Sequence, residues 1–205
     1  MKIEKGVIAL LLVGLEVLLI LSSWIVGAAM PDANVRSLLG NEGIRWFFGY
    51  FTDNLQTPLL VWVVLLSTAY GAFVGSGLLR MLSVLITGKE SFRSLHYRQR
   101  MGLRIVLAEM LLMACVIGLL AFVPHAMLLS ITGGLFPSSF SMSIVPIVSF
   151  AAIVCSLSYG LSCGRVRGIA DTYELLTVGV KRSASLFPLY ILSVQLYYSF
   201  LFVFM

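Results

Sequence analysis

Charge is what this chain has least of. Acidic and basic side chains make up 11% of its 205 residues, against 60% apolar ones, and the mean hydropathy is +1.01. Surface so poor in charge would leave far more apolar area open to water than a soluble fold tolerates. Cysteine is scarce too: Cys115, Cys155 and Cys163 all fall within apolar runs and match no metal or redox spacing. They read as small packing residues, and no metal site is expected. The two histidines, His96 in a basic segment and His125 just past an apolar run, have no paired nucleophile nearby. Gly75-Ser76-Gly77 lacks the spacing of a nucleophile elbow, and no glycine motif is built to cradle a phosphate. No catalytic or cofactor-binding residues are therefore expected, and the chain does not read as an enzyme. Strict apolar–polar alternation is also missing, which excludes a membrane β-barrel.

What the sequence has is length of apolar run. A span needs about 20 mostly apolar residues, and residues 7–30, 58–81, 105–123, 143–163 and 186–205 meet or nearly meet that length. Lys2 and Lys5 followed by an apolar run ending near Gly27-Ala28-Ala29 resemble a signal peptide. That run is longer than a signal core of about 7–15 residues and contains Glu16, so it is expected to stay as a span. The expected fold is all-α and integral to the membrane, a single domain of five transmembrane helices.

Basic residues orient the spans. One topology puts Lys2, Lys5, Arg80, Lys89, Arg93, Arg98, Arg100, Arg104, Arg165, Arg167, Lys181 and Arg182 on one side, leaving Arg36 and Arg45 on the other. The N-terminus is then cytoplasmic, the C-terminus outside, and an inner membrane the expected location. The net charge of +5 follows from this asymmetry. Nucleic-acid binding is not expected, because no basic groove interleaved with aromatics occurs. The lipid bilayer, with its anionic headgroups, is the expected partner of the basic loops.

Two shorter elements complete the expectation. Pro31 and Asp32 should end the first helix, and Asn41 could cap a second over 41–52. There Ile44, Phe47, Phe48 and Phe51 recur at helical spacing, while Glu42, Arg45, Gly49 and Asp53 fall mostly opposite. Such a helix, with Trp46 and Tyr50 at headgroup level, lies in the outer interface or dips into it. A short cytoplasmic helix over 171–180, capped by Asp171, is the other.

The chain's residues also carry a resemblance. Ser37-Leu38-Leu39, Glu42-Gly43-Ile44-Arg45-Trp46, Asn54, Pro58-Leu59, Gly71 and Ser76-Gly77-Leu78 occur in that order. So do Arg100-Met101-Gly102-Leu103-Arg104, Ser143-Ile144-Val145-Pro146-Ile147, Ser158-Tyr159-Gly160, Arg165-Val166-Arg167 and Gln195. The set resembles the p-aminobenzoyl-glutamate transporter (AbgT) family from about residue 35 onwards. Members are more than twice this length and hold substrate between two re-entrant hairpins. These 205 residues carry no counterpart of either hairpin; Gly77-Leu78-Leu79-Arg80 leads straight to the basic segment 89–104. The resemblance therefore implies the family's inner-core scaffold, which also forms its dimer. It implies transport-related work with an aromatic anion as possible substrate, without autonomous transport. A homodimer or a membrane partner protein is the implied company, and a non-transporting dimeric scaffold or subunit of a larger complex is the alternative.

Three polar residues are candidates for an intramembrane site. Glu16 lies about ten residues into its span, roughly 15 Å into a core about 30 Å thick. An ionisable residue there serves function, or it serves as a hydrogen bond between helices. Glu109, five residues after Arg104, is shallow enough to reach back to the interface. Gln195, between Ser193 and Tyr197, makes the last span polar at its middle; the resemblance places it on the scaffold side of the transport path, and interhelical bonding is the other account. Gly71-x-x-x-Gly75 and Gly160-x-x-x-Gly164 are expected to let helices approach closely.

Overall fold

The computed structural model describes residues 2–30, 34–88, 95–122 and 139–205. Nine helices and no strands occur among them: α1 (Lys2–Ala29), α2 (Asn41–Gly49), α3 (Phe51–Leu55), α4 (Pro58–Gly75), α5 (Leu78–Ile86), α6 (Tyr97–Phe122), α7 (Ser139–Ser162), α8 (Ile169–Ser183) and α9 (Leu186–Phe204). Of these, α1, α4, α6, α7 and α9 are long and apolar enough to cross a membrane. This is an all-α, multi-pass membrane protein. The break expected at Pro31 and Asp32, the bases Lys89 and Arg93, His125 and the end of the third run at Val123 lie outside the described residues.

Burial runs against the soluble pattern. The fully buried side chains are mostly serines, among them Ser23, Ser76, Ser149, Ser156 and Ser199, while Leu10, Leu11, Leu18, Leu111, Leu112 and Phe150 are exposed. Where lipid covers the outside, leucine gains nothing by turning inward. Small side chains do gain, because they let helices touch along their backbones.

The second apolar run, expected over 58–81, is shorter than its composition suggested. Gly77 takes φ +80, a left-handed conformation that ends α4 and starts α5 in a new direction. A Cβ there would strike the guanidinium of Arg165. Helix α5 carries the chain past the expected end of the run at Met81, and α6, starting at Tyr97, takes in part of the basic segment 89–104. In Gly160-x-x-x-Gly164 only the first glycine is a helix-packing site in the expected sense. Gly164, with φ +71, closes α7 as its Arg165 neighbour donates back to the carbonyl of Gly160.

Contacts divide the chain into two compact units, Met1–Val61 with Ser183–Met205, and Trp62–Arg182. In the first, α1 and α9 run side by side and parallel, as Lys5 meets Ser185 near their starts and Glu16 meets Ser199 further along. Leu19, Leu38, Phe202 and Val203 form its apolar core, with Trp46 packed against them. In the second, α6 pairs with α7, and Leu78, Met81, Leu95, Leu103, Cys155 and Tyr159 cluster together. Cys155 is thus a packing residue.

The aromatic-rich segment is two helices, with Tyr50 as the joint. Gly40 rather than Asn41 holds the position before α2 and makes no side-chain cap. Trp46 stacks on Phe202 with centroids 4.5 Å apart, while Tyr190 hydrogen-bonds Thr57 and the Leu55 carbonyl. From Phe202 to Tyr190 is about 18 Å along α9 at the helical rise, so α2 and α3 follow α9 antiparallel to it. The face turned inward carries Gly43, Trp46 and Asn54; Ile44, Phe48 and Phe51 point away.

In the second unit α8 seats on α4 through two glycines. A Cβ on Gly71 would hit the backbone of Gly179, and one on Gly179 would land on the Ser67 carbonyl oxygen; Leu175 fills the space beside Gly75. Asp171 does not cap α8 from its first position as expected. It lies in the first turn and accepts from the Arg167 N–H at 2.9 Å, which ties the residue before Gly168 to the helix start. Because backbone cannot yield as a side-chain tip can, Gly179→Ala should lower the stability of the purified protein by about 1–3 kcal/mol. The check is the thermal unfolding midpoint in detergent, with Gly168→Ala, which has open space around it, as the unaffected comparison.

Candidate functional site

Apolar spans make every polar side chain within them conspicuous, and the first unit gathers several around α9. Ser199 is fully buried and donates to Oε1 of Glu16 at 2.6 Å. The other carboxylate oxygen, Oε2, is buried without a partner. Four residues earlier on α9, one helical turn away, Gln195 is buried to 5% exposure, and among the described residues neither its carbonyl oxygen nor its amide nitrogen has a partner. Asn54 on α3, 7% exposed, has a partnerless amide nitrogen. The stretch of α2 and α3 between the Trp46–Phe202 stack and the Tyr190–Thr57 bond puts Asn54 at about the height of Gln195 on α9.

The local reasons are plain. Glu16, Leu19, Ile20 and Ser23 recur at helical spacing, so one face of α1 carries both its carboxylate and a serine. Ser23 bonds its own helix at Ile20 and accepts from the Leu38 N–H at 3.2 Å. This binds the chain that leaves α1 to α1 itself. Further along α9, the Arg36 N–H donates to the Val203 carbonyl at 3.0 Å, closing the same end.

Of the three residues singled out by sequence, Glu16 and Gln195 belong to this unit and lie on the touching pair α1 and α9. Glu109 belongs to the other unit. There it does not turn back toward water: its Oε1 accepts from Ser158 of α7 at 2.5 Å, and Oε2 is buried without a partner. The reason is the neighbour. A hydroxyl within reach satisfies one lone pair without stretching the side chain along the helix. Both carboxylates within the spans are thus held by a serine from the adjacent helix, with one oxygen left over. Ser149 of α7 is also buried with a partnerless hydroxyl.

Asn54 was the residue that sequence reasoning did not place at a site. Its signal was present, since an amide follows the aromatic stripe where α2 and α3 turn inward, but a stripe argument alone assigns it to no face. Among the described residues no three of His, Cys, Asp or Glu come together to hold a metal ion. Chemically, the orphaned atoms of Gln195 and Asn54 and the free oxygen of Glu16 offer donors and acceptors in a dry setting, where each unmet group is expensive.

Compared with known proteins, the chain matches no family model, no curated protein and no solved structure.

If Glu16 and Ser199 bind α1 to α9, removing the hydroxyl leaves a buried carboxyl oxygen unmet. Ser199→Ala should cost about 0.5–2 kcal/mol in unfolding free energy. Glu16→Gln, which keeps an acceptor oxygen, should cost less. Thermal unfolding of the two variants beside the parent, in the same detergent, gives the comparison.

Proposed function

We propose that this chain is a transport-related inner-membrane protein of the p-aminobenzoyl-glutamate transporter type, equivalent to the scaffold helices of that family, and that it does not carry substrate across the membrane unaided. What supports the reading most is the way the intramembrane carboxylates are used: Glu16 and Glu109 are each tied to a serine on the adjacent helix. A carboxylate committed to its neighbour helix contributes to a frame. Transporters of this general kind grip substrate and coupling ion at discontinuous helices near the midplane. Over their described residues α1, α6, α7 and α9 run unbroken, with Pro146 accommodated inside α7, while the second apolar run turns at Gly77, past the end of α4.

In this reading the N-terminus faces the cytoplasm, and a separate membrane protein supplies the mobile, ligand-gripping part. An aromatic anion remains the substrate class, reached only in that assembly. Gln195 and Asn54, with unpaired amide atoms inside the first unit, are the scaffold's own contribution to whatever polar path results.

A second reading, a non-transporting dimeric scaffold, draws on a different feature. Leu15, Leu18, Leu19, Leu196 and Phe200 line an open groove of about 450 Å³ between α1 and α9, with Ser193 and Tyr197 as its polar members. A helix of a second copy would find leucine ridges and two hydroxyls there.

Flux tests the premise the two readings share, and crosslinking tests the dimer. Purified protein alone in liposomes should take up labelled p-aminobenzoyl-glutamate no faster than empty vesicles. Uptake that is clearly above the empty-vesicle level and is abolished by Glu16→Gln would refute the scaffold reading. Cysteine crosslinking through Leu18→Cys or Leu196→Cys should trap a dimer if the groove takes a second copy.

A further inference from the structure

Where α1 and α9 finish, the first unit carries a cavity unlike the rest of the molecule. Its volume is about 640 Å³ and its lining is Arg36, Asn41, Glu42, Arg45, Trp46, Tyr50 and Phe202. Phe202 forms the floor, with Trp46 stacked on it and the Arg36 guanidinium 5.9 Å from its ring centre. Among the described residues neither Arg36 nor Arg45 forms an ion pair, and the side chain of Arg45 has no hydrogen-bonding partner either. The two guanidiniums outnumber the one carboxylate, Glu42. A first turn of α2 without a side-chain cap adds backbone N–H groups to the same wall.

We infer that this cavity is an anion site, taking a phosphate or carboxylate group between Arg36 and Arg45 while an apolar body rests on Trp46 and Phe202. Guanidinium forks match the oxygens of such groups in pairs, which a lone ammonium does not. The aromatic floor sets the second requirement, since a flat or aliphatic body gains contact there that inorganic phosphate would not. Exposed Ile44 and Phe48 on α2 set the cavity beside a surface that suits the lipid interface. The same chemistry can therefore come from a phospholipid headgroup or from a free amphiphilic anion. The inference stands apart from the proposed transport-related scaffold and can fail or hold without it.

Trp46 is a built-in reporter. In the full chain in detergent, Trp24→Phe with Trp62→Phe leaves it as the sole tryptophan. Its emission is titrated with phenyl phosphate, the free source, and with dihexanoyl phosphatidylglycerol, the lipid source. Benzyl alcohol and dihexanoylglycerol are the uncharged counterparts. A saturable change with either anion, absent with its uncharged counterpart, is expected, and whichever anion gives it names the source. Arg36→Gln with Arg45→Gln should weaken that binding by about tenfold or more, as loss of charge-assisted hydrogen bonds implies. The same pair changed to lysine should recover only part of it. Arg98→Gln with Arg104→Gln, an equal loss of charge elsewhere, should leave it unchanged. If the Arg36 variant does not fold, Arg45→Gln alone carries the test, its side chain being exposed and unpartnered. No saturable response to either anion, an equal response to the uncharged molecules, or binding indifferent to Arg36 and Arg45 would each overturn the site.

Discussion

A polar group in hydrocarbon has no water to turn to, and that constraint explains more of this molecule than any other. It makes Glu16 accept from Ser199 and Glu109 from Ser158. It also folds serine hydroxyls back onto their own helices, as at Ser67 and Ser156, where the acceptors are the carbonyls of Val64 and Ala152. Where no partner is found, as at Gln195 and Asn54, the same constraint marks the residue as one whose partner must come from elsewhere. The interior is therefore organised by hydroxyl and amide groups, and the leucines that would form a soluble core face the lipid.

Glycine does the complementary work. Gly71 and Gly179 bring the backbones of α4 and α8 into contact, and Gly77 turns the chain between α4 and α5. Dispersion between closely touching backbones replaces the hydrophobic driving force that lipid removes. Serine and glycine open these close contacts, and the apolar clusters around Leu78 and Leu19 fill the space beside them.

Much of the fold was legible in the sequence. Run length finds five spans because a helix must be long enough to cross and apolar enough to stay, and no tertiary contact can alter that. The end of the second span was less legible. Composition extends it to Met81, but the chain turns at Gly77, and only the backbone angle distinguishes a glycine that packs from one that turns. Glu16 and Gln195 stood out as polar residues in apolar runs, and both belong to the pair α1 and α9. The serines that meet the carboxylates of Glu16 and Glu109 did not stand out. Ser199 and Ser158 are two serines among many, and nothing in spacing says which one meets a carboxylate on another helix. Asn54 was hidden for a related reason: its burial depends on α3 following α9, which the aromatic stripe alone does not dictate. The stripe residues Ile44, Phe48 and Phe51 point away from the unit's core, whereas Trp46, which the sequence reading set at headgroup level, is the aromatic that packs inward.

The parallel pair α1 and α9 is fastened at three heights, by Lys5 to Ser185, Glu16 to Ser199, and the segment after α1 to Val203 through Arg36. Fasteners so spaced resist sliding and twisting alike, since displacing one by a single helical turn, about 5.4 Å, would undo all of them together. Any working motion of this unit must then be that of a rigid bar which tilts or translates whole.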